Sequence, residues 1–171
     1  MTKFPSDRTV VLTCFAALGG AVLLGAAITP VVAATITRSA DVKASASTVW
    51  SLIGPFCAIK NWLPPVGECI EDGKAPPTRV LVTKDRKAAF VEMQTSRNEN
   101  EHSYSYSFLS SPLPVSNYKA TIKVTAKNDG SSTITWIGSY TPDEGNEKTA
   151  SDALIGVYEA GLAEIKARLA K

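Results

Sequence analysis

Few side chains in this 171-residue chain have the type and spacing to do chemistry. There is one histidine, His102, and there are three cysteines, Cys14, Cys57 and Cys69, none of them in a cluster. A structural zinc or haem site needs grouped ligands, so neither a metal nor a cofactor is expected. His102 opens the run His102-Ser103-Tyr104-Ser105-Tyr106-Ser107-Phe108 and alternates onto the face of Tyr104, Tyr106 and Phe108. An imidazole there could act as an acid or base. Its place beside the turn residues Asn98, Glu99 and Asn100 fits a solvated strand-end histidine better. The chain has no Gly-x-Ser-x-Gly elbow, and a Ser-His-Asp hydrolase has no other support in it.

Phenols are the richer set. Tyr104, Tyr106, Tyr118, Tyr140 and Tyr158 pair an apolar ring with a hydroxyl, which suits a pocket that packs on a ligand while hydrogen-bonding its polar end. The same residues also suit an ordinary aromatic core whose hydroxyls reach the surface. Tyr118 and Tyr158 stand out because sheet alternation and helix periodicity send them independently to one interface. Glu92 lies between Val91 and Met93. Buried there, its charged form would be disfavoured and it could exchange protons; the plainer expectation is an outward residue on an exposed strand face, paired with Arg79 or a lysine.

The charge balance excludes other classes. With 18 Lys+Arg against 16 Asp+Glu, the net charge of +2 offers no basic excess for nucleic-acid binding. No charged residue occurs between Arg8 and Arg38, and residues 9–28 are long and apolar enough to enter a membrane. Lys3 and Arg8 flank this run, and Val31-x-Ala33 or Val32-x-Ala34 ends it with small residues that a signal peptidase accepts. Residues 1–33 are therefore expected to be an export signal. The alternative is an uncleaved anchor, in which case residues 9–28 are the only contact with membrane. Cys14, inside the run, reads as a small apolar residue. The remaining domain, 34–171, keeps 16 of the 18 basic and 15 of the 16 acidic residues, so a partner must be recognised by shape and apolar contact. Its expected location is periplasmic or secreted, where a disulfide between Cys57 and Cys69 is permitted; free buried thiols are the alternative.

The elements that must position these residues follow from periodicity. A β-branched strand over 35–42 leads to Ser45, which can cap a short helix that Gly54-Pro55 stops. A second short helix through Phe56, Ile59 and Trp62 must end before Pro64-Pro65. Beyond Val66, β-prone runs alternate with turn residues at Asp72-Gly73, Asp85-Arg86-Lys87, Asn98-Glu99-Asn100 and Asn128-Asp129-Gly130, as in an antiparallel meander. In residues 118–127, Tyr118, Ala120, Ile122 and Val124 alternate with Lys119, Thr121, Lys123 and Thr125. Ile134, Trp136 and Tyr140 continue the dry face on the next strand, with Gly138 leaving room there. Leu154, Val157, Tyr158, Gly161, Leu162, Ile165 and Leu169 form a stripe on a helix over 149–169, with Thr149 and Asp152 as a capping pair. One long helix packed on a one-sided sheet is an α+β arrangement.

This order resembles the helix-grip fold of the START and birch-pollen-allergen (SRPBCC) superfamily. Val49-Trp50, Trp62-Leu63-Pro64, Tyr104-Ser105-Tyr106, Pro112-Leu113-Pro114-Val115 followed by Tyr118, Trp136, and 156–162 (GVYEAGL) are similar to stretches of its polyketide cyclase/dehydrase-like branch, with exported MxaD-like members nearest in type. The resemblance covers residues 36–169. Relatives often carry Trp-His-Pro where this chain has Leu63, and Gly where it has Ser111, so any polar chemistry of that histidine is missing here.

The resemblance implies a curved antiparallel sheet of about seven strands, two short helices after the first strand, and a C-terminal helix packed over a cavity. Members hold apolar or amphipathic small molecules, so Tyr118, Tyr158, Tyr104, Tyr106, Trp136, Trp62 and Glu92 are the candidate lining. In superfamily receptors a loop like Pro112-Leu113-Pro114-Val115 gates the cavity; a stiff connector capping the core is the alternative. Trp62, beside Pro64-Pro65, is either the opposite lip or a core anchor. Three functions remain open: non-catalytic binding of a small molecule, MxaD-like partnership with an exported redox enzyme, and a cyclase or dehydratase using Tyr118, Tyr158 or Glu92.

Overall fold

A computed structural model describes residues 32–170. The expected export segment therefore lies, but for its last two residues, outside the described residues, as does Cys14. Strand β1 (Ala34–Val42) leads to helix α1 (Ala46–Ile53), whose first turn is capped by Ser45: its Oγ accepts the Thr48 amide at 3.2 Å. Gly54 ends α1 by donating to the Trp50 carbonyl at 2.7 Å. A 3-10 turn (Phe56–Ala58) runs into helix α2 (Ile59–Trp62), and Leu63 is extended ahead of Pro64, as the proline ring requires.

Six strands then follow in a meander: β2 (Val66–Glu71), β3 (Thr78–Thr83), β4 (Ala89–Asn98), β5 (Ser103–Ser110), β6 (Val115–Ala126) and β7 (Ser132–Pro142). β1 closes back on β7, giving one antiparallel sheet in the order β1-β7-β6-β5-β4-β3-β2. Irregularities in register at Val66/Glu68, Val91/Glu92, Gln94/Ser96 and Ser116/Lys119 bend the sheet. Asn117 takes the left-handed conformation at the last of these, φ 53°, which asparagine tolerates. β6 thus begins at Val115, and the clean alternation expected from residue 118 is only its part beyond the bulge.

Helix α3 (Glu147–Leu169) crosses the concave face and buries Ala150, Leu154, Tyr158, Gly161, Leu162 and Ile165, at spacings of three and four. The expected capping pair is corrected. The helix starts two residues before Thr149, and Asp152 pairs with Lys148 one turn back at 2.5 Å instead. Among the described residues no helix is long and apolar enough to cross a membrane.

Candidate functional site

The space between sheet and helix is filled at one end and open at the other. At the filled end Trp136 of β7 stacks on Tyr158 of α3 with ring centroids 4.2 Å apart and planes 7° off parallel. Trp62 meets Trp136 edge-on at 5.6 Å. Gly161 lets α3 close on them, since a Cβ there would stand 3.0 Å from both Leu63 and Trp136. At the open end lies a cavity of about 240 Å³. Its walls are Leu81 and Val82 of β3, Phe90 and Glu92 of β4, Tyr106 and Phe108 of β5, and Tyr118 of β6. Leu154, Val157 and Tyr158 of α3 roof it, while Leu63, Pro65, Val66, Pro112 and Leu113 complete the rim. At roughly 30 Å³ per liquid water, that volume equals about eight waters, enough for a small organic molecule rather than a long acyl chain.

Cys57 and Cys69 form a disulfide, Cα atoms 5.5 Å apart, that ties the 3-10 turn to β2. The closed loop contains Leu63, Pro65 and Val66, so the bond braces one wall of the cavity. A loop of this size stabilises a fold by about 3 kcal/mol in the chain-entropy account.

The polar groups of the cavity form a line. Trp136 Nε1 donates to the Tyr106 hydroxyl at 3.0 Å, which lies 3.4 Å from the Tyr118 hydroxyl, which in turn lies 2.7 Å from that of Tyr158. Phe108 stacks on Tyr118 at 3.9 Å and holds its ring. Burial pushes the Tyr106 and Tyr118 phenols well above their ordinary range, and it raises Tyr158 too although the hydrogen bond from Tyr118 opposes the shift. All three are neutral hydrogen-bonding groups at physiological pH.

Glu92 corrects the sequence reading most sharply. It is 4% exposed rather than outward, and it meets Arg79, which is fully buried. Arg79 Nε donates to Glu92 Oε2 at 2.7 Å, and Nη2 lies 2.6 Å from the same oxygen without the alignment of a hydrogen bond. Arg79 Nη1 donates to the Phe56 carbonyl, and the guanidinium sits 3.8 Å above the Phe56 ring. Burial pushes the Glu92 carboxyl up while Arg79 pulls it down, and burial prevails. Val91 and Met93 had implied the opposite facing, but they occupy the half-buried outer face of β4, and Phe90, Glu92 and Gln94 point inward. Arg79 shares the alternation of Leu81, a signal that could have placed it inside.

Of the expected lining, Tyr118, Tyr158, Tyr106, Glu92, Pro112 and Leu113 reach the cavity. Tyr104 does not: it is buried beside Phe56 and Trp50, away from the cavity. Trp62 and Trp136 are core anchors, and Trp136 acts on the cavity only through Tyr106 and Tyr158. Pro114 turns its carbonyl to the Asp143 amide at 2.9 Å, and Val115 belongs to β6, so the gate segment reduces to Pro112 and Leu113 at the rim. His102 occupies the turn before β5 with φ 47°, half-buried with its ring 5.8 Å from Trp50, and lines no part of the cavity. Periodicity did not reveal Leu81, Val82 and Phe90 as walls, because alternation identifies a face but not where that face is left uncovered.

Residues 33–170 match a family model described as polyketide cyclase/dehydrase and lipid transport. No curated protein matches. Among solved structures, XoxI from Bacillus cereus is 29% identical, with a TM-score of 0.76 over 81% of this chain and 96% of its own. A Thermobifida fusca protein is 26% identical, with a TM-score of 0.71 over 79% of this chain and 92% of its own. Norcoclaurine synthase from Thalictrum flavum, solved with dopamine and hydroxybenzaldehyde, is 16% identical, with a TM-score of 0.64 over 79% of this chain and 85% of its own, a likeness of fold alone.

Proposed function

This chain belongs to the polyketide cyclase/dehydrase and lipid transport family of the SRPBCC superfamily, and from that membership we propose that it is an exported protein binding an apolar or amphipathic small molecule between the sheet and α3. The observation that carries this reading is the cavity: about 240 Å³, walled by Leu, Val and Phe side chains, with three phenols and one carboxylate as its polar groups. Apolar walls with a few placed polar groups are the general form of small-molecule sites. Export is supported by the apolar segment at 9–28 and by the Cys57–Cys69 bond, which an oxidising compartment favours.

Binding is favoured over cyclase or dehydratase chemistry by the state of the same groups. A general acid or base works best with a pKa near the operating pH, whereas the three phenols are pushed far above it and Glu92 is engaged by Arg79. The test is native mass spectrometry of the chain purified from the cell envelope of its own host. A bound small molecule released on denaturation is expected, and Val157→Trp, which fills the cavity, should carry none. Protein that is consistently empty would overturn the reading.

A further inference from the structure

The line of hydroxyls has a direction, and the direction says what it can hold. An indole N–H only donates, so the Tyr106 oxygen receives the proton of Trp136. Tyr106 must then place its own proton elsewhere, and its remaining partner is the Tyr118 hydroxyl. Tyr118, having accepted from Tyr106, donates to Tyr158. Tyr158 accepts in turn, and among the described residues its own proton has no acceptor. Reversing the line would strand the Tyr106 proton in a buried site, a cost of roughly 1–3 kcal/mol. The stacked rings of Trp136 on Tyr158 and Phe108 on Tyr118 keep the oxygens in place. The cavity therefore receives one oriented donor, the Tyr158 O–H.

Glu92 adds the complementary restriction. Both short contacts from Arg79 fall on Oε2, and Oε1 makes no hydrogen bond among the described residues. An acceptor oxygen of a buried carboxylate thus stands in the wall of the same apolar cavity. A second carboxylate brought into that space would meet like charge with little solvent to screen it.

We propose that the cavity selects an uncharged ligand with a hydrogen-bond-accepting oxygen, of the ketone, aldehyde or ester class, received by the Tyr158 hydroxyl, and that it disfavours carboxylic acids of the same shape. The proposal rests on the reading of the cavity as a binding site. The test compares four probes with a common bicyclic body by titration against the purified chain: 1-acetylnaphthalene, 1-ethylnaphthalene, 1-naphthoate and 1-naphthylmethylamine. The ketone should bind roughly three- to tenfold more tightly than the hydrocarbon, the span expected of one net hydrogen bond, and naphthoate should bind more weakly than either. In Tyr158→Phe the ketone should lose its advantage while 1-ethylnaphthalene binds unchanged, a result that also shows the variant to be folded. The carbonyl stretch of the bound ketone supplies an independent readout: it should lie below its value in an apolar solvent and rise towards that value in the variant. If naphthoate or the amine binds most tightly, or if ketone and hydrocarbon bind alike, the proposed selectivity is wrong while the cavity remains a binding site. If none of the four binds, both readings fall. Should Tyr158→Phe not fold, the ranking and the carbonyl stretch with the unaltered chain still decide.

Discussion

Arg79 and Glu92 compensate each other in a place where neither can stand alone. Both are buried, and the guanidinium also satisfies the Phe56 carbonyl and covers the Phe56 ring. Removing one member of such a pair typically costs about 3–5 kcal/mol, because the other keeps its charge without solvent, whereas replacing both by apolar side chains is far less harmful. Arg79→Met should therefore destabilise the protein by about that amount in urea denaturation, and adding Glu92→Met should recover much of the loss. Strictly additive losses would mean that the two charges do not act as a pair. The residue scale is also where the sequence was least legible. Val91 and Met93 made β4 look apolar on the wrong face, and only the buried partner across the strand pair explains a glutamate turned inward. The phenols were more readable, since Tyr118 and Tyr158 each carry a periodicity that points inward. Tyr104 obeys the same alternation and still misses the cavity, because position along a strand, not facing alone, decides what a side chain lines.

Between elements, the closest fit is that of α3 on β7. Gly138 lies directly beneath the Tyr158 hydroxyl, and a methyl group added there would overlap that oxygen and press on the ring carbon bearing it at 3.2 Å. Gly138→Ala should then cost about 1–3 kcal/mol, the usual penalty of overpacking. Tyr158→Phe, by removing the overlapped atom, should restore part of it in the double variant, a coupling expected of residues in contact. Equal losses in the presence and absence of the hydroxyl would show that α3 does not sit against Gly138 as described. Elements were largely legible from sequence because their signals are local: Ser45 caps α1, Pro64 ends α2, and turn residues separate the strands. The exceptions have local causes too. The bulge at Ser116 to Lys119 hides the first turns of alternation in β6, and α3 begins at Glu147, outside the apolar stripe that revealed it.

The molecule as a whole is a sheet covered along one diagonal by a helix, with aromatic side chains filling one end of the contact and leaving the other open. That division could not be read from the sequence. Leu154 and Leu162 look equivalent on the helix stripe, yet Leu154 roofs the cavity and Leu162 does not line it. A void is set by the joint reach of side chains from seven elements and two connecting segments, and no periodicity encodes it. The central claim, that this void receives a small apolar molecule, is tested most directly by intermolecular nuclear Overhauser effects from bound 1-ethylnaphthalene to assigned methyl groups. Contacts to Leu81, Leu113, Leu154 and Val157 are predicted, with none to Leu162 or Ile165 at the filled end. Contacts confined to exposed positions such as Ile70, Leu109 or Ile137, or to no methyl at all, would contradict it.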